Sequence, residues 1–426
     1  MMALKPIVLI PFASEIHEEK YYGNVFEFFK KLFTNRGVVV YEGVITSSSD
    51  AVKVAEKYRD HLPIALVLTG GTSGFVYDFA TSAPFDKLFI LGHIEHNSLA
   101  SAISIRGKIE REGFSAGIYW CDINDPVNCE LVVDKLTRIT RAVSFMIGSR
   151  VLVVADKDKG DVEEAFESRF NSTVDMMSIS ELARFMETIN KDEVRETIAE
   201  IEDKYIIEAP RNSLEKVSRL YLALGKIARE RGYDVVTIDC FPFIVKYKVT
   251  PCLPLSLLND KGHIAVCEAD LTAVAGMMLA RALTGLSGWI GNAVWFKSRQ
   301  AMFAHCTIAL DIALGKPRLI SHFESNYPYA VASPMKCHVV TAISMDRDFT
   351  YIAIERGKVV KSGLMVNNTC RTQVLLEFDQ SMDHVPVYAP SNHHVLIPGD
   401  HVEELLEIAR IFNMDAVMYR ELPGIT

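Results

Sequence analysis

Short apolar runs alternate with segments of helical periodicity through the first third of this 426-residue chain. This alternation is typical of βαβ units, in which helices cover the faces of a parallel sheet. The sequence therefore predicts a doubly wound parallel sheet over residues 1–148. The apolar runs are Ile7–Ile10, Val38–Tyr41, Ala65–Leu68, Leu88–Leu91 and Ala116–Trp120.

The same pattern restarts after Gly148 and predicts a second α/β domain over residues 149–316. Val235–Ile238 and His263–Val266 are its candidate central strands. Glu268 would then lie just beyond the carboxyl end of a strand, where open α/β sheets bind ligands. The topology alone thus indicates a site at Glu268.

Short β-rich runs follow Pro317 and predict a third domain over residues 317–426. Arg356-Gly357 fits a hairpin turn between Phe349–Glu355 and Lys358–Lys361. The predicted fold class is α/β, with two Rossmann-like domains of doubly wound parallel sheet followed by a β-rich C-terminal domain.

Charge and hydropathy exclude several function classes. The formal net charge of -9 and the absence of a local cluster of basic residues argue against a nucleic-acid partner. No apolar segment approaches the length of a membrane span. The apolar start around Val8–Ile10 fits a first strand better than a signal sequence, so we expect a cytoplasmic protein.

The eight cysteines are scattered without a short-spaced framework. Reduced, mostly buried thiols are therefore expected rather than disulfides.

A candidate metal site is spread over distant segments: Cys267-Glu268-Ala269-Asp270, His305-Cys306 and Asn392-His393-His394. A carboxylate with neutral imidazoles suits a divalent cation such as Mn²⁺, which also accepts oxygen ligands from a sugar. The alternative is that Glu268 and Asp270 only cap the helix that follows them. Residue types alone favour capping.

Several separated motifs favour the metal site over simple capping, because together they resemble the L-fucose isomerase-like family. The resemblance is to its shorter archaeal and bacterial members in particular. The resemblance covers nearly the whole chain. The motifs are TGGTSG at 69–74, HIEHNSLASA at 93–102, PCLPLSLLND at 251–260, CEAD at 267–270, AHC at 304–306, HFES at 322–325, CRTQ at 370–373 and NHHVLIPGD at 392–400.

The resemblance implies a metal-dependent aldose–ketose isomerase that acts on a free pentose, hexose or deoxyhexose through an enediol. It implies Mn²⁺ as cofactor, Glu268 and His393 as ligands, and His305 as a further ligand if it is not simply a core histidine. The second carboxylate of the characterised enzymes falls near Asn292 in this chain.

Asn292 can coordinate a cation through its carbonyl oxygen, but an amide cannot act as a general base. Asp270, a water molecule or a histidine would then supply the second proton-transfer group. The alternatives are a carbohydrate-binding relative that lost catalysis, or another metal-assisted enolising enzyme such as an epimerase or lyase.

Other residues are candidates for substrate binding. His93, His96 and Asn97 follow a predicted strand and form either a polyol-binding edge or an ordinary loop. Glu324 and Arg371 bind substrate hydroxyls or pair with each other. His394 points away from His393 if the segment is extended, so it is assigned to substrate contact or to support of the ligand.

The glycines of TGGTSG fit a tight turn and lack the spacing of nucleotide-binding loops, so no nucleotide cofactor is expected. The resemblance further implies a homotrimer or homohexamer with active sites shared between subunits.

Overall fold

The computed structural model describes residues 5–422. Contacts divide the chain into two compact units. Within the described residues, the N-terminal unit contains residues 5–147 together with Leu406–Asn413, and the main unit contains Gly148–Leu405 and residues 414–422. No described helix is both long and apolar enough to cross a membrane.

The N-terminal unit is built on a five-stranded parallel sheet in the order β2-β1-β3-β4-β5. Its elements are β1 (Ile7–Phe12), α1 (Glu19–Thr34), β2 (Val39–Val40), α2 (Ser48–Lys57), β3 (Leu62–Val67), α3 (Ser73–Thr81), β4 (Lys87–His93), α4 (Ser98–Glu110), β5 (Ser115–Cys121) and α5 (Pro126–Met146).

Local sequence explains these elements. The buried residues of α1 recur at helical spacing, at Val25, Phe26, Phe29 and Phe33. The Asp125 side chain accepts hydrogen bonds from the first turn of α5, directly before a proline that has no N–H to satisfy. The predicted parallel sheet is confirmed here.

A second parallel sheet lies in the main unit, in the order β10-β9-β6-β7. This sheet confirms the second parallel sheet that the alternation of apolar runs and helical segments predicted. The elements of this part of the chain are β6 (Arg150–Val154), α6 (Asp161–Phe170), β7 (Thr173–Met177), α7 (Ile179–Glu187), α8 (Lys191–Lys204), β8 (Ile206–Ile207), α9 (Leu214–Arg231), β9 (Val235–Ile238), α10 (Cys240–Tyr247), α11 (Cys252–Asp260), β10 (Ile264–Cys267) and α12 (Leu271–Thr284).

The rest of the main unit is β-rich and forms a closed barrel, in the order β15-β18-β11-β12-β17-β16-β19, with β15 also paired to β16. A separate sheet has the order β14-β13-β8. The elements from residue 289 onward are β11 (Trp289–Lys297), β12 (Gln300–His305), β13 (Arg318–Ser321), β14 (Pro328–Ala332), β15 (Val339–Met345), β16 (Tyr351–Gly363), β17 (Thr372–Glu377), α13 (Val385–Tyr388), β18 (His393–Pro398), α14 (Val402–Ile411) and β19 (Asp415–Met418). The residues of α14 from Leu406 belong to the N-terminal unit.

The barrel begins earlier in the sequence than the β-rich composition indicated. Strands β11 and β12 lie before residue 316, yet they pair with β17 and β18 from the far end of the chain. The predicted hairpin turn at Arg356-Gly357 is wrong, because β16 runs through it without interruption. Its pairing with β15, in which Arg356 lies opposite Thr341 and Gly357 opposite Val340, keeps the backbone extended there.

The expectation that all eight cysteines are reduced is also wrong. Cys121 and Cys129 form a disulfide in the N-terminal unit, joining the end of β5 to the first turn of α5 with Cα atoms 5.0 Å apart. The turn between strand and helix brings together two residues whose spacing matches no recognisable framework. The other six cysteines are free, and four of them are buried.

Gly276 permits close packing of α12 on β18. A Cβ atom at this position would lie 2.7 Å from Val395 Cγ2. We expect Gly276→Ala to lower the free energy of unfolding by about 1–3 kcal/mol, because helix and strand would have to separate. Chemical denaturation of purified variants measures this change.

Gly225 of α9 is the matched control, since it is also a buried helical glycine. A Cβ there would make ordinary contact, 3.4 Å from Leu258 Cδ2. Gly225→Ala should leave stability unchanged or raise it by up to about 1 kcal/mol, because alanine favours helix. Equal effects at the two glycines would contradict the packing argument.

Candidate active site

Glu268 occupies the turn between β10 and α12 in a backbone conformation that side chains seldom adopt. Its φ is +65°, and Ala269 follows with φ +51°. Such non-glycine residues cost of order 1–3 kcal/mol each and cluster at functional sites. The turn holds the carboxylate at the carboxyl end of the parallel sheet, where the topology predicted a ligand site.

Asp270 caps the N-terminus of α12. Its Oδ1 accepts hydrogen bonds from the backbone N–H of Thr272 and of Ala273, at 2.8 and 3.4 Å. The capping interpretation is therefore correct for Asp270. Its other oxygen, Oδ2, lies 2.6 Å from His393 Nδ1, so the carboxylate also orients this imidazole.

Barrel strands bring the remaining groups to Glu268. In the ladder, Asn292 of β11 is opposite His393 of β18 on one side and Ala304 of β12 on the other. His305 is the last residue of β12. The register thus places two histidines and an amide on neighbouring strands.

The Glu268 carboxylate lies between the two imidazoles. Its Oε1 is 3.3 Å from His305 Nε2, and its Oε2 is 3.4 Å from His393 Nε2. Both histidines are buried, with 3% and 4% of their side chains exposed. The structure therefore brings together three of the four predicted metal ligands in direct contact.

Electrostatic attraction between carboxylates and imidazoles shifts the pKa values of Glu268 and His393 in this cluster. Burial raises the pKa of the Glu268 carboxyl, but the close contacts of the carboxylate with the His305 and His393 imidazoles outweigh it and hold that pKa well below its usual range. Burial lowers the pKa of His393, but Asp270 and Glu268 more than offset it and raise that pKa to about 9. In the absence of a cation, the proton on His393 offsets one of the two negative charges of Glu268 and Asp270.

The donor set fits a divalent cation. His305 Nδ1 is buried without a hydrogen-bond partner. The Nε2 atoms of His305 and His393 are also buried, and each contacts the Glu268 carboxylate, at 3.3 and 3.4 Å, without forming a hydrogen bond of good geometry. Buried polar atoms are rarely left unpaired without a functional reason. Because Asp270 accepts from His393 Nδ1, it fixes the tautomer whose Nε2 can bind a metal ion.

Asn292 is the fourth predicted metal ligand. It lines one cavity with Glu268 and His305. Its Oδ1 accepts a hydrogen bond from Asn392 Nδ2 at 3.0 Å. The amide is therefore at the site but is held by a neighbouring amide rather than aimed at Glu268.

Two cavities meet at Glu268, which lines both. One has a volume of about 300 Å³ and also contains Asn292, His305 and Glu324. The other, of about 470 Å³, is the more polar, and its wall includes Asp239, Asp270, Arg347, Asn392 and His393. Polar walls of this kind suit a polyhydroxylated ligand.

Asp239 is a site residue that the sequence analysis missed. It directly follows β9, the strand paired in parallel with β10, so it stands at the same sheet edge as Glu268. Burial raises the pKa of its carboxyl, Lys157 opposes this rise, and the charge of Glu268 adds to it. An acid at the carboxyl end of the neighbouring strand was the available sequence signal.

His394 lies on the opposite face of β18 from His393. It is fully buried, and its Nδ1 is 2.5 Å from the Tyr419 hydroxyl. Burial and the charge of His393 lower its pKa to about 3. The structure thus places His394 inside the barrel and outside both cavities at Glu268.

Glu324 and Arg371 are not paired with each other in the described part of the chain. Glu324 lines the smaller cavity with Glu268. Arg371 donates to the Ser321 carbonyl at 2.9 Å, and its guanidinium lies 5.5 Å from the Phe323 ring centre. Glu324 is therefore available to a ligand, whereas Arg371 is engaged in local structure.

The three N-terminal candidates differ in exposure. His93 is fully buried; its Nε2 donates to the Leu68 carbonyl, and its Nδ1 accepts from the Glu95 N–H. His96 and Asn97 are exposed, with φ of +48° and +57°. Both ring nitrogens of His93 serve the fold. The His96 ring stacks on Tyr21 and its Nδ1 lies 3.0 Å from His17 Nδ1, so its Nε2 and the Asn97 amide are the groups that face solvent.

Comparison with known proteins points to sugar isomerases. No family model matches the chain. It is 23% identical over 272 residues to sulfoquinovose isomerase from Priestia aryabhattai, covering 60% of each protein. It is 24% identical over 226 residues to sulfoquinovose isomerase from Clostridium sp. strain MSTE9, covering 49% of each.

A third relative is L-arabinose isomerase 2 from Clostridium acetobutylicum, 25% identical over 175 residues, or 38% of this chain and 36% of the relative. The chain spans about 60% of the length of the first sulfoquinovose isomerase. These similarities support the superfamily of L-fucose and L-arabinose isomerases and do not single out a branch within it.

Proposed function

We propose that this protein is a metal-dependent aldose–ketose isomerase acting on a free sugar, with Mn²⁺ as the expected ion. The single observation that carries the proposal is the Glu268 carboxylate between two buried imidazoles, whose Nε2 atoms both contact it without a hydrogen bond of good geometry. The names of the relatives support the reaction class.

A bound divalent ion would hold the two substrate oxygens and polarise the carbonyl. Glu268, His305 and His393 would hold the ion, with the Asn292 carbonyl as a weaker donor. Asp270 positions His393 and already accepts from the helix N-terminus, so it is poorly placed to carry a proton as well. We therefore assign Asp270 the role of positioning the His393 imidazole.

Asp239 is the better candidate for the second proton-transfer group. Isomerisation moves a proton between adjacent carbons, which requires an acid/base group beside the substrate. Asp239 shares the larger cavity with Glu268, and no side-chain hydrogen bond to the helix that follows engages its carboxylate. Its raised pKa brings the carboxyl closer to the range useful for proton transfer.

Proton NMR in D₂O tests the reaction, with diamagnetic Mg²⁺ in place of Mn²⁺ and a panel of free sugars that includes sulfoquinovose and L-arabinose. An isomerase exchanges the C2 proton of its aldose and forms the matching ketose. Exchange without an aldose–ketose pair would identify a different enolising enzyme. Binding without exchange would identify a carbohydrate-binding protein. The presence of Asn292, where the characterised enzymes have a second carboxylate, favours this alternative.

The charge of the site gives a further prediction. Asn292→Asp should tighten Mn²⁺ binding by about 1–3 kcal/mol, because it restores a carboxylate near the ion. The new carboxylate can still accept the hydrogen bond from Asn392. Titration calorimetry measures the affinity. Asn212→Asp on an exposed turn is the control and should change nothing; equal tightening would show a non-specific effect of charge.

We further propose a homotrimer or homohexamer in which His96 and Asn97 complete the site of a neighbouring subunit. They belong to the unit that does not contain Glu268. Asn97→Ala and Glu268→Gln chains, each inactive alone, should recover turnover when assembled into mixed oligomers. Verified mixed oligomers without activity, or a monomer in light scattering, would contradict this arrangement.

A further inference from the structure

Cys267 lies directly beside the candidate metal ligands. A sulfur of Cys267, a carboxylate oxygen of Glu268 and a ring nitrogen of His305 all lie within 4.8 Å of one another. Cys267 ends β10 and is 3% exposed, so the extended strand that delivers Glu268 also fixes the thiol.

Two further observations point to a ligand at this cluster. His305 Nδ1 is buried without a hydrogen-bond partner in a side chain that is only 3% exposed, and His305 Nε2 contacts the Glu268 carboxylate at 3.3 Å without a hydrogen bond of good geometry. The cavity it shares with Glu268 is also rich in sulfur: its wall contains Cys240, Cys252, Cys267, Cys306 and Cys370. The oxygen donors of the same wall include the Glu268 and Glu324 carboxylates and the neutral amide of Asn292.

This donor set is unusual for manganese. Carboxylate, carbonyl and water oxygens suit Mn²⁺, whereas thiolate and imidazole suit Zn²⁺ and similar ions. Three protein donors with a further position left open to water or substrate are the arrangement of catalytic zinc sites. Cys267, Glu268 and His305 form one such set of three donors.

We propose that Cys267 is a direct ligand of the bound ion, and that the site takes a borderline-soft divalent ion of the zinc type rather than Mn²⁺. The inference rests on the metal site of the proposed function and changes the identity of its ion. The Cys267 thiol releases its proton to solvent as the sulfur–metal bond forms, since a coordinating thiol is deprotonated. Polarisation of a sugar carbonyl remains available to such an ion.

Cobalt(II) is the appropriate probe, because zinc binds more tightly than manganese to most sites whatever their ligands. The full chain, stripped of metal and kept reduced, is titrated with Co²⁺. Thiolate ligation gives a near-ultraviolet charge-transfer band that oxygen and nitrogen ligands do not. We expect the band in the wild type, its loss in Cys267→Ser, and its retention in Cys370→Ser, a thiol of the same cavity.

Affinities provide a second measure on the same variants. Cys267→Ser should weaken Zn²⁺ binding at least about tenfold while changing Mn²⁺ binding less than about threefold, because only the soft ion gains from sulfur. X-ray absorption of the zinc-loaded wild type needs no variant and should show a sulfur neighbour at about 2.3 Å.

The outcomes separate the two proposals. Co²⁺ bound without the charge-transfer band, or a zinc shell without sulfur, overturns the role of Cys267 and leaves the proposed isomerase intact. A band that persists in Cys267→Ser also overturns it. No binding of Co²⁺, Zn²⁺ or Mn²⁺ overturns both.

Discussion

Glu268→Gln is expected to weaken Mn²⁺ binding by at least about 100-fold, since loss of even an indirect partner of a metal ligand costs about 10–100-fold. The substitution keeps the size of the side chain and removes its charge. It also leaves His305 and His393 facing a neutral amide in place of a carboxylate. Titration calorimetry on metal-stripped protein gives the affinity.

Glu324→Gln is the matched control, because it removes a carboxylate from the same cavity without touching the two histidines. It should keep the affinity for Mn²⁺ within about threefold, as an exposed charge at greater distance is screened. If Glu268→Gln and Glu324→Gln bind the ion equally well, the metal site and the isomerase function built on it are both wrong.

Asp239→Asn should lower kcat by about 10²–10⁴-fold, the range that a positioned acid/base group contributes. Affinity for the metal ion should stay unchanged, because Asp239 lies outside the cluster of Glu268, His305 and His393. A loss of turnover with metal affinity retained separates proton transfer from metal binding. Steady-state kinetics on the sugar identified by NMR, with calorimetry alongside, measures both quantities.

Asp156→Asn provides the comparison for Asp239, since Asp156 also follows a central strand of the same sheet. Its Oδ1 accepts from the Ile179 N–H at 2.8 Å, and it lines neither cavity at Glu268. We expect near-normal kcat in this variant. Loss of turnover in both variants would indicate a structural effect at the sheet edge, and full activity of Asp239→Asn would assign the proton to another group.

The parallel sheets were predictable because their signal is local. A strand buried on both faces is a short apolar run, and the helix after it has its own periodicity, so each element is legible within a few residues. The barrel was harder to predict. Strands β11 and β12 pair with β17 and β18, and nothing near residues 289–305 in the sequence marks these distant partners.

The candidate site likewise combines residues that the sequence predicted with contacts that it could not predict. The position of Glu268 followed from its place after a strand, and family motifs indicated His393. Spacing could not show that Asp270 caps α12 and orients His393 at once, nor that His394 lies inside the barrel. Cys267 was noted in the sequence without a role as a ligand, and Asp239 was overlooked, because a cysteine or an aspartate at a strand end is common and only the assembled site distinguishes them.

The closed barrel has a consequence for how such a protein evolves. Asn292 and His393 face each other across one ladder, and His305 ends the strand next to Asn292. Ladder hydrogen bonds are made by backbone groups, so they persist whichever side chain occupies these positions. Single substitutions can therefore exchange one metal donor for another while the framework stays the same. A lineage could in this way change its metal, and with it its range of sugars, through steps that each leave a folded protein.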